Sequence, residues 1–167
     1  FQRLLEQRLR ATYTAEEIAG LYRRASHWCA GRRLVDEAVK YALAAGDIAD
    51  AIAMVETNRH TVLNEERWQQ MEPWLQSLPR REINAHPELL VLEAWILHKR
   101  ERLAEIPGRL DLAEAMLAEG NWPPGVEVRL RSEIDALRSQ QYYLRADAAR
   151  TCQAAQRALE HAPPEYA

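Results

Sequence analysis

The residues of this 167-residue chain that could do chemistry are few and widely spaced. Five histidines, His27, His60, His86, His98 and His161, form no HExxH, and no pair of them shares a helix face with a nearby carboxylate. His27 and Cys29 stand two apart, on divergent faces of a helix. That spacing argues against a metal site. The carboxylate pairs Glu16-Glu17 and Glu65-Glu66 fall where helices begin, so capping explains them better than acid–base catalysis does. No GxSxG, glycine-rich nucleotide turn or GxxxxGK[ST] phosphate loop occurs. The two cysteines, Cys29 and Cys152, read as reduced and buried rather than bridged. We expect no enzyme activity and no cofactor or metal in this chain.

The elements that would position any site read as helices. Alanine, leucine, arginine and glutamate dominate, while β-branched residues are scarce and Phe1 is the sole phenylalanine. No run of 18 apolar residues exists, so no membrane span is expected. Phe1 stands where an initiator methionine would, and no signal-peptide pattern follows. The chain therefore reads as an excerpt of a larger cytoplasmic protein. Its charge of −3 is uneven: residues 1–33 carry a net +4, with seven arginines, and the rest is acidic. Such an end could meet nucleic acid, pack on a neighbouring domain or lie solvated.

Phe1, Leu4, Leu5 and Leu9 share one helical face. Thr14-Ala-Glu-Glu17 is a capping box that opens a helix with Ile18, Leu21, Tyr22, Ala25 and Trp28 inward, ended by a left-handed Gly31. The next helix stops at Gly46, and Asp47 caps another that runs to about Leu63. Asn64 caps a short helix interrupted by Pro73, which either kinks it or starts its regular part. Pro87 opens a helix; others run over Ile106–Glu119, about Val126–Arg145 and about Ala146–His161, with Gly120-Asn-Trp-Pro-Pro-Gly125 as a break and Pro163-Pro164 as the end. These spacings predict an all-α chain of about eight helices in pairs, with small residues such as Ala38, Ala42, Ala94, Ala113 and Ala158 at the crossings.

A helix-pair repeat of about 34 residues is the tetratricopeptide period. Setting Pro87 first places Leu90 fourth, Ala94 eighth, Leu97 eleventh and Ala113 twenty-seventh, while Ile106, twentieth, does not match the small residue of the repeat. Setting Ser132 first places Ser139 eighth, Tyr142 eleventh, Ala158 twenty-seventh and Pro163 thirty-second. A looser copy runs through Ala25 and Trp28. The predicted architecture is thus a tetratricopeptide-like αα-superhelix in which each pair covers its neighbour. In both registers the concave first-helix positions collect Trp95, His98, Lys99, Gln140 and Tyr143, our candidate groove for a ligand or partner. The alternative makes Trp95 packing between repeats and Lys99 a solvated end.

The run Leu21–Glu56, with RRAxxWxxxxxLVDEAVxYALAAGD, resembles the start of the helical-repeat region in the MalT-like, LuxR-type, ATP-dependent transcription activators. So do WLxxLP and HPELxxLxAW within Trp74–Leu103. The opening FQRLLEQRLR resembles the last helix of the winged-helix module that precedes that region. The resemblance implies residues 1–12 as the tail of that module and 13–167 as a helical sensor or interaction domain. It implies neighbouring domains of the same protein as partners, together with a small-molecule inducer or regulatory protein. ATP would sit in the parent protein's nucleotide-binding domain, and DNA would be read by a domain absent here. A generic tetratricopeptide scaffold from a kinase or other signalling protein is the competing reading.

Overall fold

A computed structural model describes residue 8, residues 11–65 and residues 67–162. The expected apolar face of Phe1, Leu4, Leu5 and Leu9 and the closing Pro163-Pro164 lie outside the described residues, as does most of the expected winged-helix tail. Among the described residues the chain is all-α, with nine α-helices and no strand. They are α1 (Ala15–Ala30), α2 (Val35–Ala44), α3 (Ile48–Asn64), α4 (Met71–Ser77), α5 (Arg80–Ile83), α6 (Pro87–Lys99), α7 (Ile106–Glu119), α8 (Pro124–Leu144) and α9 (Ala148–Glu160). Short 3₁₀ turns at Trp68–Gln70 and Leu103–Glu105 lead into α4 and α7. The helices fall into two compact units, residues 1–78 and 79–167.

In the first unit α1 packs on α2 and α2 on α3, with α4 against both α2 and α3. The capping box opens α1 as read: Thr14 Oγ1 accepts from the Glu17 N–H at 3.3 Å, and Glu17 Oε2 accepts from the Thr14 N–H at 2.8 Å. That backbone bond, with the hydroxyl, holds the Glu17 carboxyl below its ordinary range. Ala38, Ala42 and Ala51 are fully buried, which lets the helices approach closely, and Val39, Val55, Met71 and Trp74 fill the space around them. The buried Ser26 hydroxyl donates to the Ala38 carbonyl at 2.8 Å and so ties α1 to α2.

In the second unit α6 is the axis. Leu89, Leu90, Val91, Leu92 and Ala94 are all fully buried, so this helix has no solvent face over its first two turns. It pairs with α7 through Ile106, Leu110 and Ala113 and also meets α8, which pairs with α9. Here Ser132 repeats the role of Ser26, donating to the Ala158 carbonyl at 2.8 Å. Arg138 of α8 reaches Asp111 at 2.8 Å and Glu114 at 2.5 Å on α7. Burial works against its charge, but these carboxylates outweigh burial and hold its pKa above the ordinary arginine value. Two consecutive helix pairs thus stack within this unit.

Four helix ends share one closure. The N–H three or four residues past the last helical residue donates back to a carbonyl five positions earlier: Leu34 to Cys29, Asp47 to Ala42, Arg102 to Leu97 and Asp147 to Tyr142, at 2.9–3.0 Å. The residue just before each of these donors is left-handed, namely Arg33, Gly46, Glu101 and Ala146. Gly46 was legible; Gly31 was not the left-handed residue, for it is right-handed at φ −62° and Arg33 takes that role. Asn64 ends α3 rather than capping α4. Pro73 is the third residue of α4, where the missing N–H would have had no helical partner.

Trp28 corrects the expected inward face of α1: it is 55% exposed, and the buried positions there are Ser26 and Cys29. Both cysteines are free, with Cys29 buried, but Cys152 is exposed on α9 rather than buried.

Candidate functional site

Trp95 and His98 sit one turn apart on α6, with ring centroids 6.2 Å apart in an edge-on arrangement. Trp95 is half-buried, and its Nε1 donates to Glu133 Oε2 of α8 at 3.1 Å. The indole therefore joins two first helices of successive pairs. Glu133 is itself buried, as are Glu88 and Val91 on α6. Burial, and then the neighbouring Lys99 cation, push the His98 pKa below its ordinary value. Lys99 is exposed at the end of α6.

Gln140 and Tyr143 lie on α8, two and nearly three turns beyond Glu133, or about 10 and 15 Å along the axis. Gln140 is half-buried, whereas Tyr143 is 72% exposed. Tyr143 lines a hollow of about 640 Å³ at the α8–α9 turn with Leu144, Thr151 and Cys152. The structure thus brings Trp95 and His98 together and sets Tyr143 in a different recess.

A cleft that residue spacing did not reveal opens in the first unit. Between α2 and the 3₁₀ turn with α4 lies a space of about 810 Å³. Val39, Leu43, Pro73 and Trp74 make its apolar surface, and Asp36, Lys40, Gln69 and Gln70 stand round it. Trp74 is buried, and its Nε1 donates to Asp36 Oδ1 at 2.6 Å across 38 residues of sequence. This bond orients the indole, and Asp36 itself is exposed. Size and lining suit a small amphipathic ligand. The available signals were Trp74 and Pro73, but nothing local ties either to Asp36.

Over 125 residues, 75% of its length, the chain is 32% identical to the serine/threonine-protein kinase PknK of Mycobacterium tuberculosis. Over 104 residues, 62% of its length, it is 34% identical to the HTH-type transcriptional regulator MalT of Yersinia enterocolitica and 32% identical to that of Yersinia pestis. It is similar to a segment of a bacterial kinase and of bacterial transcriptional regulators. The chain spans 11% of the length of these relatives. No protein-family model and no solved structure matches it. Among the described residues no helix is long and apolar enough to cross a membrane.

Proposed function

We propose that this chain is the non-catalytic sensor or interaction domain of a MalT-like, LuxR-family transcriptional regulator. One observation carries the reading. The matches to the kinase and to the transcriptional regulators cover 75% and 62% of the chain, so they must overlap. A segment common to proteins with different outputs is suited to what both need, the reception of a signal.

In this reading a small-molecule inducer or a regulatory protein binds the helical domain in the cytoplasm. The 810 Å³ cleft and the Trp95–His98 face are the two places offered to it. Binding favours one arrangement of helix pairs, which changes how the domain holds its neighbours and so their nucleotide-dependent activation of transcription. Such coupling requires unequal affinity for the two arrangements. ATP belongs to the parent's nucleotide-binding domain and DNA to its helix-turn-helix, so this segment needs no cofactor.

A second reading, a scaffold that binds a protein in another signalling protein, is favoured by the kinase match, which covers the larger share of the chain. The complete reading frame separates the two. A phosphate loop before this segment and a helix-turn-helix after it support the regulator; a kinase catalytic domain supports the scaffold; an unrelated enzyme around it overturns both.

A further inference from the structure

The turn between α1 and α2 holds features that neither the cleft nor the helix pairing uses. Trp28 is 55% exposed and Leu34 42% exposed. The bond from the Leu34 N–H to the Cys29 carbonyl closes the turn and keeps the two residues at one end of α1. The indoles of Trp74, Trp95 and Trp122 donate to Asp36, Glu133 and the Met116 carbonyl, but Trp28 has no hydrogen bond among the described residues. Exposed apolar surface of this kind carries a cost until something covers it.

Arginine surrounds it. Arg24, Trp28 and Arg32 follow at four-residue intervals, so they line one side of the helix end, and Arg32 Cζ lies 3.8 Å from the ring centroid. Arg23 and Arg33 add to the same end. None of these four arginines forms an ion pair among the described residues, and all four are exposed. Several arginines elsewhere are matched, Arg80 and Arg109 with Glu93, Arg138 with Asp111 and Glu114, and Arg157 with Asp135, while Arg129 and Arg145 stand singly on α8 and at its end and form no such cluster. The nearby His27 faces Asp50 at 3.6 Å, which leaves the arginines as the unmatched charge.

We propose that this turn is a docking surface for an acidic segment of a protein partner. An apolar side chain of the partner covers Trp28 and Leu34, and flanking aspartates or glutamates meet Arg24, Arg32 and Arg33. Tryptophan and arginine are the side chains on which protein interfaces concentrate their binding energy, and an apolar centre with a charged rim is the usual interface plan. Single-stranded nucleic acid fits less well. Such binders offer several stacking platforms along a basic groove, whereas here one ring stands alone with one face already taken by Arg32. Leu34 offers no stacking plane.

A phage-displayed random peptide library selected on the chain, with a titration of oligo-dT alongside, tests this. The surface predicts enriched peptides that place Asp or Glu on both sides of a leucine or an aromatic. Their affinity falls at least tenfold with Trp28→Ala and with Arg32→Glu, and falls as salt rises. Both positions are exposed, and retained helical circular dichroism with an unchanged melting temperature checks that the variants fold. Enriched peptides without acidic residues, enrichment equal on Trp28→Ala, or no enrichment would overturn the proposal. So would oligo-dT that binds more tightly than the peptides and is lost with Trp28→Ala, which would make the surface a nucleic-acid site.

Discussion

The left-handed turns allow a paired test with opposite signs. Gly46 has φ +78°, and a Cβ placed there meets nothing within 4 Å. Gly46→Ala therefore isolates conformational cost from collision. A left-handed L-residue costs about 1–2 kcal/mol, partly offset by the entropy that alanine removes from the unfolded chain, about 0.5–1 kcal/mol. The net expectation is a loss of about 0.5–1 kcal/mol. Ala146, at φ 57° in the corresponding turn before α9, is the mirror case, and Ala146→Gly should gain about as much. Both turns close through the same bond, from Asp47 to Ala42 and from Asp147 to Tyr142, at 3.0 Å in each. Urea unfolding reads the change as a shift in midpoint at constant slope, and about 1 kcal/mol moves the melting temperature by about 2–4 °C in a chain of this size. A neutral Gly46→Ala, or a destabilising Ala146→Gly, would show that these turns do not impose the left-handed residue.

Removing the buried hydroxyl in Ser132→Ala should cost about 0.5–1.5 kcal/mol and speed amide exchange in α9, because it unties α8 from the Ala158 carbonyl. Gly120→Ala puts a methyl on the Trp122 ring, whose Nε1 donates to the Met116 carbonyl at 3.0 Å. The ring must leave that bond, so a loss of about 1–3 kcal/mol and a shift in tryptophan emission follow. His98 should titrate by NMR below an ordinary histidine, through burial first and Lys99 second, and Lys99→Ala should raise its midpoint. Because the folded state disfavours its charged form, the unfolded chain binds more protons. The His98 contribution is complete above the unfolded pKa and is lost as pH falls through the lower folded one.

Helix positions were legible because the apolar rhythm, the capping box and the prolines all act locally. Pro87 opens α6 and Asp47 accepts from the Asp50 N–H at 3.3 Å, as their types demand. The left-handed Arg33, Glu101 and Ala146 were not legible, since the closing backbone bond forces that conformation whatever the side chain. Apolar rhythm misplaced Trp28 because it counts every large aromatic as inward; Ser26, matched to the Ala38 carbonyl, takes the buried place. The cleft was beyond reach for another reason. It depends on Trp74 meeting Asp36, and on a 3₁₀ turn standing between α3 and α4, neither of which has a local signature. Of the proposed groove set, Trp95 and His98 lie together on one helix, but repeat position alone could not show that the Trp95 N–H bonds to Glu133 or that Tyr143 lines a separate hollow.

Hydrogen exchange on the intact parent protein, with and without the signal that switches its output, tests the receiving role most directly. Changed protection is expected in peptides from Val35–Ala44 and Met71–Ser77, or from Pro87–Lys99 and Pro124–Leu144, on addition of the signal. An output that switches while every peptide of this segment exchanges as before would contradict that role.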